Sequence, residues 1–195
     1  SFRNDVRVNR FDSMVERLPE INFDMPAKEI VDTGFFWKNT TTYSNLNKKS
    51  ASPSEIRQKT MRVDTDNELS YPMKVAFIEL KPFVGGRETY YSKTTDPADY
   101  GIMRGIFRTG ADLSTKFFRI YEAESDWLGI EVNRLRHVIT PSIAYDYVHD
   151  PTVANSKLDQ FDSVDALNRS HALNFSIENK LQTKDSQMKV IDFAT

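Results

Sequence analysis

Alternation with a period of two runs through almost the whole chain. The stretch "HALNFSIENKL" sets Leu173, Phe175, Ile177 and Leu181 on one side of an extended backbone, and Asn174, Ser176, Glu178 and Lys180 on the other. Successive side chains of a strand point to opposite faces, so such a segment asks for an apolar and a polar environment at once. The split recurs upstream. Ile21, Phe23 and Met25 oppose Glu20, Asn22 and Asp24; Phe35, Trp37 and Tyr43 oppose Lys38, Thr40, Thr42 and Ser44; Met61, Val63 and Leu69 oppose Arg62, Asp64, Asp66 and Glu68. Further on, Ala76, Ile78, Leu80 and Val84 keep register, although Phe77 and Phe83 sit among Glu79 and Lys81 on the opposite side. Met103, Phe107, Ala111, Leu113 and Phe117 then face away from Arg104, Arg108, Asp112, Ser114 and Lys116. Ile139, Ile143, Tyr145 and Tyr147 face away from Thr140, Ser142 and Asp146. Helical spacing is scarce. The pattern predicts roughly nine strands, several longer than the usual 5 to 6 residues or so of a globular sheet.

Two environments reward this pattern: a soluble sandwich burying its apolar faces against each other, or a membrane barrel turning them to lipid. Three features favour the barrel. Polar faces such as Arg62, Asp64, Asp66 and Glu68 carry both signs on consecutive positions, which suits a hydrated lumen where opposite charges pair. Aromatic residues gather toward strand ends, at Tyr71, Tyr90 and Tyr91, Phe117 and Phe118 near Tyr121, Trp127, and Tyr145 with Tyr147, as interfacial girdles require. Breaks also alternate in length from about Met25 onward, the early break near "FDSM" being short where a long one is expected. Short ones fall near "MPAKEIVD", "SYPMK", "AESDW" and "TKDSQ", and longer polar ones at "NKKSASPSE", "KTTDPADY" and "VHDPTVANSKLDQFDSVDALN". Tight turns on one side and long loops on the other describe an up-and-down barrel.

Composition excludes several functions. Twenty-six basic and 28 acidic residues are mixed along 195 positions, so no nucleic-acid footprint exists. Without cysteine there is neither a disulfide nor a thiolate metal site. No apolar run reaches the roughly 18 residues of a membrane-spanning helix. The start lacks a signal-peptide core and the end falls within a strand pattern, as expected of an excerpt truncated at both ends. His137, His149 and His171 are scattered, and no G-x-S-x-G elbow is present. "DTDNE", Asp64 to Glu68, lacks the glycine and distal glutamate of a calcium loop. In "SKLDQFDSVDALN", Asp159, Asp162 and Asp165 read as a solvated loop capped by Asp turns, and the sequon-like triplets at Asn39 and Asn168 read as chance. No catalytic residue, metal or cofactor is expected.

The order of motifs carries a further reading. "RLPEINFDMP", "ELSYPMKVAFIELKPFVGGRETYY", "RGIFRTGADLSTKFFRIY", "LRHVITPSIAYDYVHDPT" and "FDSVDALNRSHALNFSIENKL" follow one another as in the C-terminal barrel of the LptD, or organic solvent tolerance, family. The segment with Arg136, His137, Ile139, Pro141, Tyr145 and Tyr147, followed by "FD" at Phe161 and Asp162, resembles that family's R-H-x-I-x-P-x-x-x-Y-x-Y strand. The resemblance implies a role in placing lipopolysaccharide in the outer leaflet of the bacterial outer membrane. It also implies an LptE-like lipoprotein plug and a periplasmic lipopolysaccharide-bridge protein that docks through a jellyroll domain outside this span. In such proteins lipid A leaves between the first and last strands while the sugars pass by the lumen. This span would be wall rather than gate. The family's cysteines have no counterpart here.

The expected fold is therefore all-β, an antiparallel up-and-down transmembrane β-barrel fragment forming part of one domain over residues 1–195. Lys38, Arg62, Asp64, Asp66, Glu68, Glu79, Lys81, Arg104, Arg108, Asp112, Lys116, Glu178 and Lys180 are expected to face the lumen. Met103, Phe107, Leu113, Phe117, Ile139, Ile143, Leu173, Phe175 and Ile177 are expected to face membrane lipid. Two alternatives remain open at this point: a passive porin, marked by a constriction loop folding inward, and a soluble carbohydrate-binding β-sandwich.

Overall fold

A computed structural model of the chain describes residues 1–9, 11–52, 57–96, 100–125, 132–184 and 190–194. Eleven strands form one sheet: β1 (Phe2–Asp5), β2 (Met14–Glu29), β3 (Phe36–Lys49), β4 (Gln58–Ser70), β5 (Met73–Val75), β6 (Ile78–Tyr91), β7 (Ile102–Thr115), β8 (Phe117–Ser125), β9 (Val132–Val148), β10 (Ser170–Lys184) and β11 (Val190–Ala194). One turn of 3-10 helix, Asn155–Lys157, is the helical element among the described residues. The hydrogen-bonded path runs β1-β2-β3-β4-β6-β7-β9-β10-β11, with β5 on β6 and β8 on β9. The expected all-β antiparallel meander of about nine strands is thus present, and its path has two ends rather than closing on itself.

Proline sets most irregularities of the ladder. Pro19 and Pro26 have no N–H to donate, and the β2–β3 register shifts between Arg17 and Glu20 and again between Met25 and Lys28. Tyr71 and Pro72 likewise separate β4 from β5, yet the chain does not turn there. It reverses at Ala76 and Phe77, where Val75 pairs with Ile78 and Ala76 has φ of 55°. The break expected at "SYPMK" therefore lies ahead of the reversal, because proline marks an interruption of pairing and not the reversal itself. "MPAKE" likewise stays within β2. The β2–β3 turn is Ile30 to Phe35, closed by Ile30 N–H to Phe35 O and Gly34 N–H to the Glu29 carboxylate. Gly34 has φ of 78°, and a Cβ there would meet the Tyr71 ring at 2.9 Å. The breaks at "AESDW" and "TKDSQ", and Trp127, lie wholly or partly outside the described residues.

By compactness the chain divides into two units. One comprises residues 1–71, 83–110 and 146–171; the other comprises 72–82, 111–145 and 172–195. β6, β7, β9 and β10 each contribute residues to both. The first unit holds the whole buried apolar set of the described residues: Leu46, Tyr91, Ile106, Leu158 and Phe161. Against those five stand 27 exposed large apolar side chains and eleven buried polar or charged ones, including Glu16, Arg62, Asp64, Arg104 and Asp165. A water-soluble sheet inverts that inventory.

Candidate functional site

Arg62, Asp64, Asp66 and Glu68 lie on one face of β4 because their spacing is two, and the ladders bring β6 and β3 beside them. Pairing follows the register only in part. Asp64 sits opposite Thr89 and receives its hydroxyl at 2.7 Å, but its ion pair is with Arg87, bidentate at 2.8 and 2.6 Å. Arg108 of β7 spans Asp66 and Glu68, each at 3.1 Å. It can cross because Gly85 lies beneath it: a Cβ at Gly85 would meet Arg108 Nε at 2.8 Å and the Asn67 carbonyl at 2.9 Å. Lys38 stands opposite Glu68 in the ladder and is exposed.

Arg62 and Arg104 take no carboxylate from their own sheet. The segment between β9 and β10, residues 149–169, folds over the polar face of the first unit and supplies their partners. Arg62 grips Asp162 with both terminal nitrogens, at 2.8 and 2.7 Å, and reaches Asp165 at 2.9 Å. Asp165 is fully buried and accepts four hydrogen bonds, from Arg62, from the Tyr91 hydroxyl at 2.8 Å, and from the backbone N–H groups of Phe161 and Asp162. Arg104, also fully buried, donates to the carbonyls of Val164, Asp165 and Leu167 and to the Asn155 side chain.

Outlying bonds extend this latch across the strands. Arg17 of β2 lies 3.5 Å from Asp162, Lys48 of β3 donates to the Gln160 carbonyl, Gln58 of β4 donates to Asp159, and the Gly105 N–H of β7 donates to Thr152. Leu158 and Phe161 of the loop are buried, as are Leu46, Tyr91 and Ile106 on the polar faces of β3, β6 and β7. The loop carries an apolar plug between its polar clamps. The expectation of a solvated Asp-turn loop is corrected accordingly. Asp162 does cap a turn, accepting from Val164 N–H, but its carboxylate is also the clamp. Burial pushes Asp162 upward in pKa, yet hydrogen bonding and charge from Arg62, with help from Arg17, outweigh it and hold the group below the usual carboxylate value. Asp159 moves the other way, raised by burial against the opposing influence of Lys48 and Gln58. A polar cavity of about 320 Å³ remains beside the latch, among Arg3, Arg17, Arg62, Arg87, Asp64 and Asp162.

In the second unit the polar candidates stay open. Lys81 and Asp112 are 4.0 Å apart, Lys116 and Glu79 3.9 Å, and Lys180 and Glu178 2.8 Å. Lys81 and Lys180 are half-buried and the other four exposed, and such solvent-reached pairs are worth about 0–1 kcal/mol each. On the apolar faces Phe117, Ile143, Leu173, Phe175 and Ile177 of this unit are exposed and Leu113 and Ile139 half-buried, and in the first unit Met103 and Phe107 are exposed. That apolar side is not uniform. Asn39, Thr41, Thr65 and Asn67 bond to one another across β3 and β4, bracketed by Tyr43 and Val63 at one end and Trp37 and Leu69 at the other. Glu88 of β6, opposite Thr65, is exposed on the same side.

An interrupted inside-out sheet with a latched loop now has a family attached to it: the model of LptD, LPS transport system D, matches residues 8–176. The chain belongs to the LptD family. LptD proteins serve lipopolysaccharide transport at the outer membrane, and the strand-only architecture agrees with an outer-membrane β-barrel. No helix among the described residues is long and apolar enough to cross a membrane, which leaves crossing by strands unaffected. No curated protein matches the chain. Within this LptD-family sheet, sequence reading brought Arg62, Asp64, Asp66, Glu68, Arg104 and Arg108 to one side but missed Arg87, Arg17 and Tyr91. Tyr91, expected in an aromatic girdle, is instead 1% exposed beneath the loop. The signal for both β6 residues was present, since Arg87, Thr89 and Tyr91 continue a spacing of two on the face opposite Val84.

Proposed function

We propose that this span is barrel wall of an LptD-like outer-membrane translocon, with its apolar faces in lipid and its ion-paired faces lining a hydrated passage for lipopolysaccharide sugars. The carrying observation is the inverted burial: charged residues enclosed and ion-paired, Leu173, Phe175 and Ile177 exposed at 55%, 70% and 67%. An antiparallel sheet whose apolar residues look outward is stable only where water is absent on that side. The exposed Glu79, Asp112, Lys116 and Glu178 and the half-buried Lys81 and Lys180 fit a lumenal wall available to sugars or to a plug protein such as an LptE-like lipoprotein. A bridge protein would reach the translocon through a jellyroll domain. An inward-folded loop is also a mark of a passive porin, and membership of a lipopolysaccharide-transport family supports the translocon reading over it. No observation favours a soluble sandwich.

Arginine scanning of β10 in the full-length protein tests the orientation. Phe175→Arg should cost about 2–4 kcal/mol if the position lies at mid-membrane depth, seen as a loss of the folded, heat-modifiable form in outer membranes. Ser176→Arg on the opposite face should assemble normally. Equal tolerance of both substitutions would place Phe175 out of lipid and end the reading.

A further inference from the structure

We infer that the long-loop end of β2, β3 and β4 carries, on the lipid side of the wall, a site for the phosphate headgroup of an outer-leaflet glycolipid, held by Arg7, Lys49, Arg57 and Lys59. The inference rests on the wall reading above, which turns the long loops to the cell exterior, and the site lies outside the passage. It begins with a bulge. The β2–β3 register shifts by one residue between Arg17 and Glu20, so Ile21 and Phe23 look to the apolar side below the shift and Glu16 looks there above it. The hydrogen bonds agree, since Glu16 accepts from Asn47 and Lys49 of β3 at 3.2 and 2.8 Å. Along that side β3 reads Tyr43, Asn45, Asn47, Lys49, while β4 and the residue ahead of it read Val63, Met61, Lys59, Arg57. Strands passing from hydrocarbon into headgroups need such a progression from apolar through amide to cation.

A cleft opens there. About 580 Å³ is enclosed by Arg7, Val8 and Asn9 on one side and Lys49, Ser50, Ala51 and Arg57 on the other, a size that admits a phosphorylated sugar as well as a bare ion. Its cations are unspent. Glu16, 1% exposed, is consumed by Lys49, Asn47 and the Arg7 N–H, and Asp12 of the β1–β2 loop is bonded to Asn9 at 3.2 Å. Among the described residues no carboxylate pairs with Arg7, Arg57 or Lys59, whereas Arg62, Arg87 and Arg108 of the polar face all have one. Arg7 is also preset: its Nε donates to the Asn9 carbonyl and its Nη1 to the Ser50 carbonyl at 2.9 Å, which leaves Nη2 for a ligand. A guanidinium already fixed in place loses little freedom on meeting a phosphate. Val8 and Phe11 of the same loop are 99% and 88% exposed. Cations beside bare apolar side chains suit a phosphorylated amphiphile better than a soluble ion.

The test places a photoreactive phenylalanine analogue at Ala51, which lines the cleft, in the full-length protein with its co-purifying partner. The complex is reconstituted in phosphatidylcholine vesicles holding diphosphorylated lipid A. Irradiation should give a lipid A adduct, and lipid A stripped of its phosphates should give little. Arg57→Gln combined with Lys59→Gln removes no side-chain hydrogen bond or ion pair among the described residues, so it should fold, and it should lower the adduct yield on the order of tenfold. Adding Arg7→Gln should deepen the loss, and Lys74→Gln in β5 should cause none. Equal yield from the dephosphorylated lipid, an unchanged yield in the Arg57 and Lys59 variant, or ready displacement by inorganic phosphate would overturn the headgroup site. The same analogue at Phe175 judges the wall separately. An acyl-chain adduct there with none at Ala51 removes the site and leaves the wall standing, whereas no adduct at either position removes both.

Discussion

Asp165 is the residue on which most of the site turns. A carboxylate with no exposure is tolerated only because four donors meet it. Removing its charge leaves Arg62 with the Asp162 carboxylate alone and weakens the loop's hold on β4. Asp165→Asn should therefore open residues 149–169 to limited proteolysis at protease levels that leave wild type intact. Its neighbour Asp162 sets the acid limit. It faces Arg62 from β4 and Arg17 from β2, with Asp165 beside it in the loop, and its pKa is depressed. The clamp it forms is thus complete above the ordinary aspartate value of about 3.9 and is lost only as pH falls through the lower, folded-state value. Asp159, raised by burial, protonates earlier on acidification and relieves a strain of the closed loop. Protease protection of the loop should accordingly hold at pH 5 and disappear only in stronger acid. Release near neutrality would show that some other group holds it.

At the scale of the strand, glycine and the apolar side make separate predictions. Gly85 and Gly86 are adjacent in β6, but only Gly85 lies under Arg108 and against the Asn67 carbonyl. Gly85→Ala should push Arg108 off Asp66 and Glu68 and lower the midpoint of denaturant unfolding. Gly86→Ala meets nothing within 4 Å and should leave it unchanged or slightly raised. A matched effect of the two would mean that Arg108 does not cross there. Glu88 shares a side with Val84 and Tyr90, and no ion pair reaches it among the described residues. Glu88→Leu should stabilise the protein in detergent or lipid, whereas Asp64→Leu, which orphans the buried Arg87 pair, should destabilise it by about 3–5 kcal/mol. The hydrogen-bonded Asn39, Thr41, Thr65 and Asn67 patch shows how polar groups persist on an apolar side: each finds its partner within the patch, so none is left bare.

For the whole molecule, the decisive property is that the sheet path has ends at β1 and β11. Edge strands present unpaired N–H and C=O groups, which hydrocarbon does not accept. Expressed alone, the 195-residue span should aggregate in buffer and fail to insert into lipid vesicles as a heat-modifiable species. Cooperative melting of a soluble, monomeric span would contradict the membrane assignment directly. The same inversion of burial makes the protein depend on its surroundings for cohesion, since the five apolar residues buried among the described residues cannot hold such a sheet together in water.

Period-two spacing alone determined that this chain is a meander of long strands with one apolar and one charged side, because the alternation of Cβ directions is a property of extended backbone and needs no partner. Leu173, Phe175 and Ile177 against Ser176 and Glu178 could be sorted without coordinates. Which charge meets which was a different matter. Asp64 was readable as a polar-face residue, but its choice of Arg87, 23 positions away, follows from ladder register, and register depends on turns whose places proline only partly reveals. The latch was least visible of all. Arg62 and Asp165 are 103 residues apart, and the run around "FDSVD" has the composition of a solvated turn. Only the folded sheet, by bringing Leu46, Tyr91 and Ile106 under that loop, turned its aspartates inward, because a carboxylate is enclosed when cations and apolar surface surround it in space and not when they neighbour it along the chain.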